Sequence, residues 1–362
     1  MNIRRRCVAI LVLALSFSGC GEKVYKVSTV ISTDGTCERV ITVRYDSKSL
    51  ARSAFPIPMD STWRCEWTLE KNVDSTSKHD DSVYIARKRF ADFEALGREY
   101  NVRRDSTNLA IHVTVERRFR WFYTYYEYSE TYARFDPLRV PVPPSAVMTE
   151  EDLRQFMSSE APDSTLRGKW KRWDERNTME WAFGRFVDAV RMRNDPKLSV
   201  DLVEQNKDRL IALLSDDSTK GKVPPSGKAR TGKGRRQNDH RSFSEKLVSE
   251  MALMLKTDAV RALASDLDSI GVEANKRMEV SARAEGEYIN TVVMPGVIIA
   301  TNASEVRGTT VVWRFTHEHL ALMDYPMHVE SRVINLWAII VTALVVLCAL
   351  AVPAFLRRRA GL

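Results

Sequence analysis

The chain is poor in the residues that metal and thiol chemistry require. It has six histidines and five cysteines among 362 residues. His317 and His319 form the one dense histidine pair, but HEHLA is not the HExxH pattern that puts two zinc ligands on one helix face. On a strand these two rings would share a face and could bind a metal with help from elsewhere, yet no third ligand is apparent. There is no GxSxG elbow, and Ser, His and Asp are too scattered to define a triad. Gly227 to Lys233, GKARTGK, has phosphate-loop spacing, but Gly234 stands where a magnesium-binding Ser or Thr belongs. These gaps argue against an enzyme and imply no cofactor.

A strong excess of one charge is also missing once position is considered. The formal charge is +8, but Arg4 to Arg6 and Arg357 to Arg359 supply six cations at the chain ends. Between them 49 basic residues face 47 acidic ones. A near-neutral body excludes nucleic acid as an expected partner, because the phosphate backbone rewards clustered cations.

Long apolar runs occur only at the two ends. MNIRRRCVAILVLALSFSGCG opens with a basic segment, then a short apolar run, then small residues before Cys20. That is the pattern of an export signal over residues 1–19, and its FSGC ending resembles a lipobox that would make Cys20 a lipidation site. Val333 to Leu356 carries no charged residue and is followed by the arginine triplet. Its length predicts a transmembrane helix over 333–356 with a cytoplasmic tail at 357–362. The expected placement is a single pass in the bacterial cytoplasmic (inner) membrane, with residues 20–332 outside the cytoplasm. Of the five cysteines, Cys37 and Cys65 then remain in an oxidising compartment and are expected to pair, two free buried thiols being the other reading.

Between the ends the pattern predicts an α+β ectodomain, a mixed or antiparallel sheet with a helical insertion. VYKVSTVISTDGTCERVITVRYD places two β-branched runs around Asp34-Gly35, a strong hairpin signal. Alternation continues at TWRCEWTLEK, SVYIARKRF and LAIHVTVERRF, with ADFEALGREY as a short helix. The first β part covers 20–140 and ends at a proline-rich boundary. Helical periodicity dominates 141–275, interrupted by a basic Gly, Pro and Ser-rich stretch at 216–242 that reads as disordered. A second β part over 276–332 includes KRMEVSARAEGEY, NTVVMPGVIIATN and GTTVVWRFT.

RRFRWFYTYYEYSETY, Arg117 to Tyr132, is half aromatic. Its composition favours one strand, with Phe119, Trp121, Tyr123 and Tyr125 on one face. Phe122, Tyr126, Tyr128 and Tyr132 then fall on the other. One face would pack the core and the other would pack the helical insertion or meet lipid headgroups or sugars, making Trp121, Tyr123, Tyr126 and Tyr128 the candidate binding residues.

The exported start, the VSTVISTDGTCERVITV hairpin and the late MPGVIIATNASEVRGTTVVWRF segment resemble the LppM-type lipoproteins. The resemblance covers roughly half of the chain. It implies a β domain that associates with membrane lipid or glycolipid, without established catalytic residues. The sequence thus leads to the expectation of a non-catalytic, membrane-anchored envelope lipoprotein that binds lipid headgroups, cell-wall glycan or a partner protein. The alternative is a metal-dependent envelope hydrolase using His317 and His319.

Overall fold

The computed structural model describes residues 23–45, 57, 59–70, 81–101, 109–135, 142–160, 162–215 and 243–360. The expected export signal, Cys20 and the basic stretch 216–242 lie outside the described residues. Contacts divide the chain into a helical unit, Asp136–Arg283, and a β unit built from Gly21–Phe135 with Ala284–Leu362.

The β unit starts with the hairpin of β1 (Val24–Ile31) and β2 (Cys37–Tyr45), paired from Val24↔Arg44 to Ile31↔Cys37. Gly35 takes φ +97° in the turn, where a side chain would be strained. Asp34 steadies it by accepting from the Thr36 amide and hydroxyl at 2.9 and 2.8 Å. Next come β3 (Arg64–Glu70), β4 (Asp81–Phe90), helix α1 (Phe93–Asn101), β5 (Ile111–Phe119) and β6 (Tyr123–Tyr132).

The helical unit contains α2 (Glu150–Ser158), α3 (Ser164–Arg193), α4 (Val200–Gln205), α5 (Lys207–Ser215) and α6 (Phe243–Leu255). Helix α7 (Ala264–Ala284) runs out of it into the second β segment. Thr149 and Asp152 close a reciprocal capping box at the start of α2. Asn194 ends the 30-residue α3 in the left-handed conformation. Phe183, Phe186, Val187 and Val190 recur at helical spacing along α3. They pack with Met251, Val260 and Leu263 into a separate core.

The chain then forms β7 (Glu287–Val293), β8 (Val297–Thr301), β9 (Glu305–Arg307) and β10 (Thr310–Thr316). Helix α8 (His317–Leu322), β11 (Tyr325–Ile334) and helix α9 (Leu336–Ala360) complete it. The strands make a seven-stranded sheet, order β3-β4-β2-β1-β7-β10-β9, and a four-stranded sheet, order β5-β6-β11-β8. Parallel pairing of β1 with β7, from Val24↔Glu287 to Val30↔Val293, joins strands from both ends of the chain in one sheet. The connection between them, through β2 to β6 and the helical unit, is far longer than the dozen or so residues a parallel pair requires.

Alternation sorts each strand into two faces. Tyr25, Val27, Thr29 and Ile31 of β1 point inward, as do Tyr126, Tyr128 and Tyr132 of β6, and the two sheets share one apolar core. Helix α1 lies against β5. Gly97 makes this approach possible, since a Cβ there would sit 3.2 Å from the Val113 carbonyl oxygen. Asn101 exchanges two hydrogen bonds with the Val113 backbone, at 3.0 and 3.1 Å.

Several expectations need correction. The stretch KRMEVSARA is helical, the end of α7, and strand structure resumes only at Glu287. Its alternating letters also fit a helix whose neighbouring turns are already formed. HEHLA is the short helix α8 rather than a strand end.

The uncharged run 333–356 is not one helix. Val333 and Ile334 finish β11, Asn335 is a buried junction, and α9 begins at Leu336. Among the described residues no helix is long and apolar enough to cross a membrane, which overturns the expected transmembrane helix and the single-pass inner-membrane placement drawn from it.

Cys37 and Cys65 are free thiols. Strand β4 separates them, with Cys37 opposite Phe90 and Cys65 opposite Ala86. Two strand spacings, about 9–10 Å, and a four-residue offset exceed what a disulfide can span.

Candidate functional site

The aromatic window is a hairpin, not a single strand. Phe119 pairs with Thr124, and Arg120, Trp121 and Phe122 form the tip, where the Arg120 amide donates to the Tyr123 carbonyl at 2.7 Å. The expected faces therefore hold only beyond the tip. Tyr126 and Tyr128 are 2% and 0% exposed in the core, so neither presents a surface to a ligand. Burial pushes both phenol groups up; Arg117 opposes this at Tyr126, while Glu130 adds to it at Tyr128. Tyr123 is half-buried on the outer face, with the Arg332 guanidinium 4.9 Å from its ring centroid. Trp121 is 48% exposed at the tip.

Register brings this tip to the start of α9. Strand β11 pairs with β6 so that Ile334 lies opposite Tyr123, and the next residue, Asn335, reaches the turn. Its side-chain amide donates to the carbonyls of Arg120 at 2.8 Å and Trp121 at 3.2 Å. Its side-chain oxygen accepts from the Thr124 hydroxyl at 2.9 Å, and its backbone amide donates to the Phe122 carbonyl at 2.9 Å. The Asn335 carbonyl in turn accepts from the Ala338 amide at 2.9 Å, beginning the helix. The Asn335 side chain thus satisfies two carbonyls that the tip leaves open, while the backbone of the same residue begins the helix.

The aromatic rings assemble around that junction. Phe119 stacks on Trp337 with ring centroids 6.2 Å apart and planes 7° from parallel. Trp121 meets the same indole edge-on at 5.3 Å and donates from Nε1 to the Thr342 hydroxyl at 2.9 Å. Phe119 and Trp337 are 55% and 51% exposed, and Phe122, Ile334 and Leu336 are exposed beside them. Gly296, at φ +79°, supports the other side of β11, where a Cβ would lie 2.2 Å from the Arg332 carbonyl oxygen. Arg117 and Arg120 are exposed near the collar, whereas Arg118 is held by Glu127 at 2.5 Å and Glu330 at 3.4 Å.

Between the collar and Val352 the described side chains of α9 form no polar stripe. Ile339, Ile340, Val341, Leu344, Val345, Val346, Leu347, Leu350 and Val352 are all exposed and lie at successive positions around the axis. Isolated apolar residues on a surface are ordinary, but a contiguous patch rimmed by aromatic and basic groups marks an interaction site.

The two rings of the histidine pair do not share a face. Two positions apart on α8, His317 and His319 point about 200° apart around the axis. His319 is buried, and its Nδ1 accepts from the Thr316 amide at 3.1 Å. Among the described residues no group of three or more His, Cys, Asp or Glu side chains is placed to hold an ion.

Sequence reasoning located Trp121 but missed Asn335, although an amide inside VINLW was the available signal. It also missed Arg39 and Glu130, which stand at inward positions of alternating strands. Arg39 Nη2 pairs with Glu130 Oε1 at 2.5 Å, both residues at most 1% exposed.

No family model and no curated protein matches the chain. Among solved structures it is similar to the NMR structure of the folded domain of Mycobacterium tuberculosis LppM. That match has 9% identity and a TM-score of 0.28, covering 87% of this chain and 92% of that one. The likeness to a lipoprotein domain is weak and carries no argument about function.

Proposed function

We propose that the β unit is a non-catalytic lipid-surface-binding module, with the collar of Phe119, Trp121 and Trp337 lying at headgroup depth. The observation that carries this reading is the packing of Trp121 against Trp337 beside the exposed apolar side chains of α9 between Ile339 and Val352. A contiguous exposed apolar patch marks an interaction site, and indole rings favour the boundary between hydrocarbon and headgroups. The hairpin lock at Asn335 sets the depth of the sheet relative to the helix. Lipid at Cys20, if attached as its sequence suggests, would supply a second contact with the same surface.

Vesicles doped with headgroup-level nitroxide lipid test the reading through tryptophan emission of the full chain. Trp121→Phe with Trp337→Phe should remove most of the lipid-quenchable emission while the circular dichroism is preserved. Equal quenching before and after the double replacement would refute headgroup-level contact by the collar.

A further inference from the structure

The core of the β unit contains a polar site that the collar does not use. Arg39 on β2 and Glu130 on β6 join the inner faces of the two sheets. Glu130 spends its second oxygen on the Tyr128 hydroxyl, which donates to it. The Arg39 guanidinium lies over the Tyr100 ring, 4.5 Å from its centroid. Two residues along β6, the Tyr132 hydroxyl accepts from Asn290 Nδ2 at 3.3 Å. The same Asn290 nitrogen lies 3.3 Å from Met327 Sδ.

Among the described residues Arg39 Nε, Arg39 Nη1 and Asn290 Oδ1 are buried here without a hydrogen-bond partner, as is Thr29 Oγ1 on the neighbouring strand. Arg39 is 0% and Asn290 1% exposed. An arginine brings five N–H donors into the core, and the single bond to Glu130 leaves most of them open. Leaving buried donors unpaired is costly, and native interiors resolve such groups with protein or with bound water.

Charge restricts the class of ligand. Burial works against the Arg39 cation, and Glu130 with the surrounding tyrosines more than offsets that, holding the guanidinium charged; the Arg39–Glu130 ion pair at 2.5 Å is neutral as a unit. An added anion would leave a net negative charge between the sheets, and an added cation would face the guanidinium. The ligand must be uncharged, small, and able both to accept from N–H groups and to donate to an amide oxygen. Water meets all three conditions, and an internal water commonly makes about three hydrogen bonds.

We infer that the Arg39–Glu130 pair is a hydrated inter-sheet site, with internal water accepting from Arg39 Nε and Nη1 and linking the pair toward the Tyr132–Asn290 hydrogen bond. The two sheets are then held in register by a solvated ion pair rather than by a dry salt bridge. The replacement Arg39→Met with Glu130→Met keeps comparable volume and removes both charges, and with them the reason for water to stay.

Oxygen-17 relaxation dispersion of solvent water counts long-lived internal waters in the full chain. The R39M/E130M variant should lose at least one such water relative to the parent. An unchanged count in a folded variant would overturn the inference. Should the variant not fold, a crystal structure of the parent chain decides instead. Water density within hydrogen-bond distance of Arg39 Nε or Nη1 supports the site, and protein acceptors or empty density at both nitrogens reject it.

Discussion

The indole of Trp121 donates to the hydroxyl of Thr342 at 2.9 Å, across 221 positions of sequence. A hairpin tip in one half of the chain is thereby fixed to the second turn of the C-terminal helix. Helix position is read directly by the sheet, and a change at the junction should be felt on both sides.

Asn335→Ala tests that coupling. The substitution deletes the side-chain bonds to Arg120, Trp121 and Thr124. It should destabilise the β unit by about 1–3 kcal/mol, since it orphans partly buried groups as well as removing bonds. Urea denaturation followed by tyrosine and tryptophan emission gives the value, and the Trp121 signal should become more solvent-like even in the folded protein.

The tyrosines of β6 are structural, and their substitution should be read as stability rather than as binding. Tyr126→Ser removes a ring packed edge-on to Phe93 and a hydrogen bond to the Thr33 carbonyl. A loss of about 3–5 kcal/mol is expected from truncating a core aromatic. Tyr128→Phe keeps the ring and removes only its donation to Glu130, with an expected cost of about 1–3 kcal/mol because the acceptor is a buried charge. Equal effects of the two changes on equilibrium unfolding would contradict the burial described.

The thiols should differ in reactivity. Burial, aided by Asp92 and Asp34, pushes the Cys37 thiol up to about 12, so almost no thiolate forms at neutral pH. Cys65 is half-buried at an edge strand and Cys348 is exposed. Maleimide labelling with peptide mass mapping should mark Cys348 and Cys65 first and Cys37 only on unfolding. A Cys37–Cys65 linked peptide from non-reduced protein would contradict the separation of the two strands.

Mild acid should weaken the β unit through His317. Burial first, then His319 and Lys23, depresses its pKa from 6.5 to about 4. The unfolded chain therefore takes up this proton at a higher pH than the folded one. The corresponding stability is complete above pH 6.5 and is lost as pH falls toward 4. In His317→Phe the stability curve measured by thermal unfolding should be flatter across that interval, while an unchanged slope would assign the effect to other groups.

Legibility followed the range of the interactions. The β1–β2 hairpin could be read because Asp34 and Gly35 act on their immediate neighbours. Helix α3 was evident because its apolar residues recur within a few turns. The end of α7 was misread because a short alternating stretch fits two periods and only the preceding helix chooses between them. The aromatic window was correctly marked as unusual, but its turn depends on Asn335, 215 positions from the Arg120 carbonyl it holds.

Composition and local pattern alone determined that this is a mixed α and β chain with apolar ends and near-neutral between them. Those properties follow from residue type and short-range spacing. Tertiary structure decided which tyrosines are core, which tryptophans are surface, why two cysteines stay apart, and how an arginine and a glutamate meet between sheets. Each of these depends on strand register, and register is set by pairing between segments that the sequence keeps far apart.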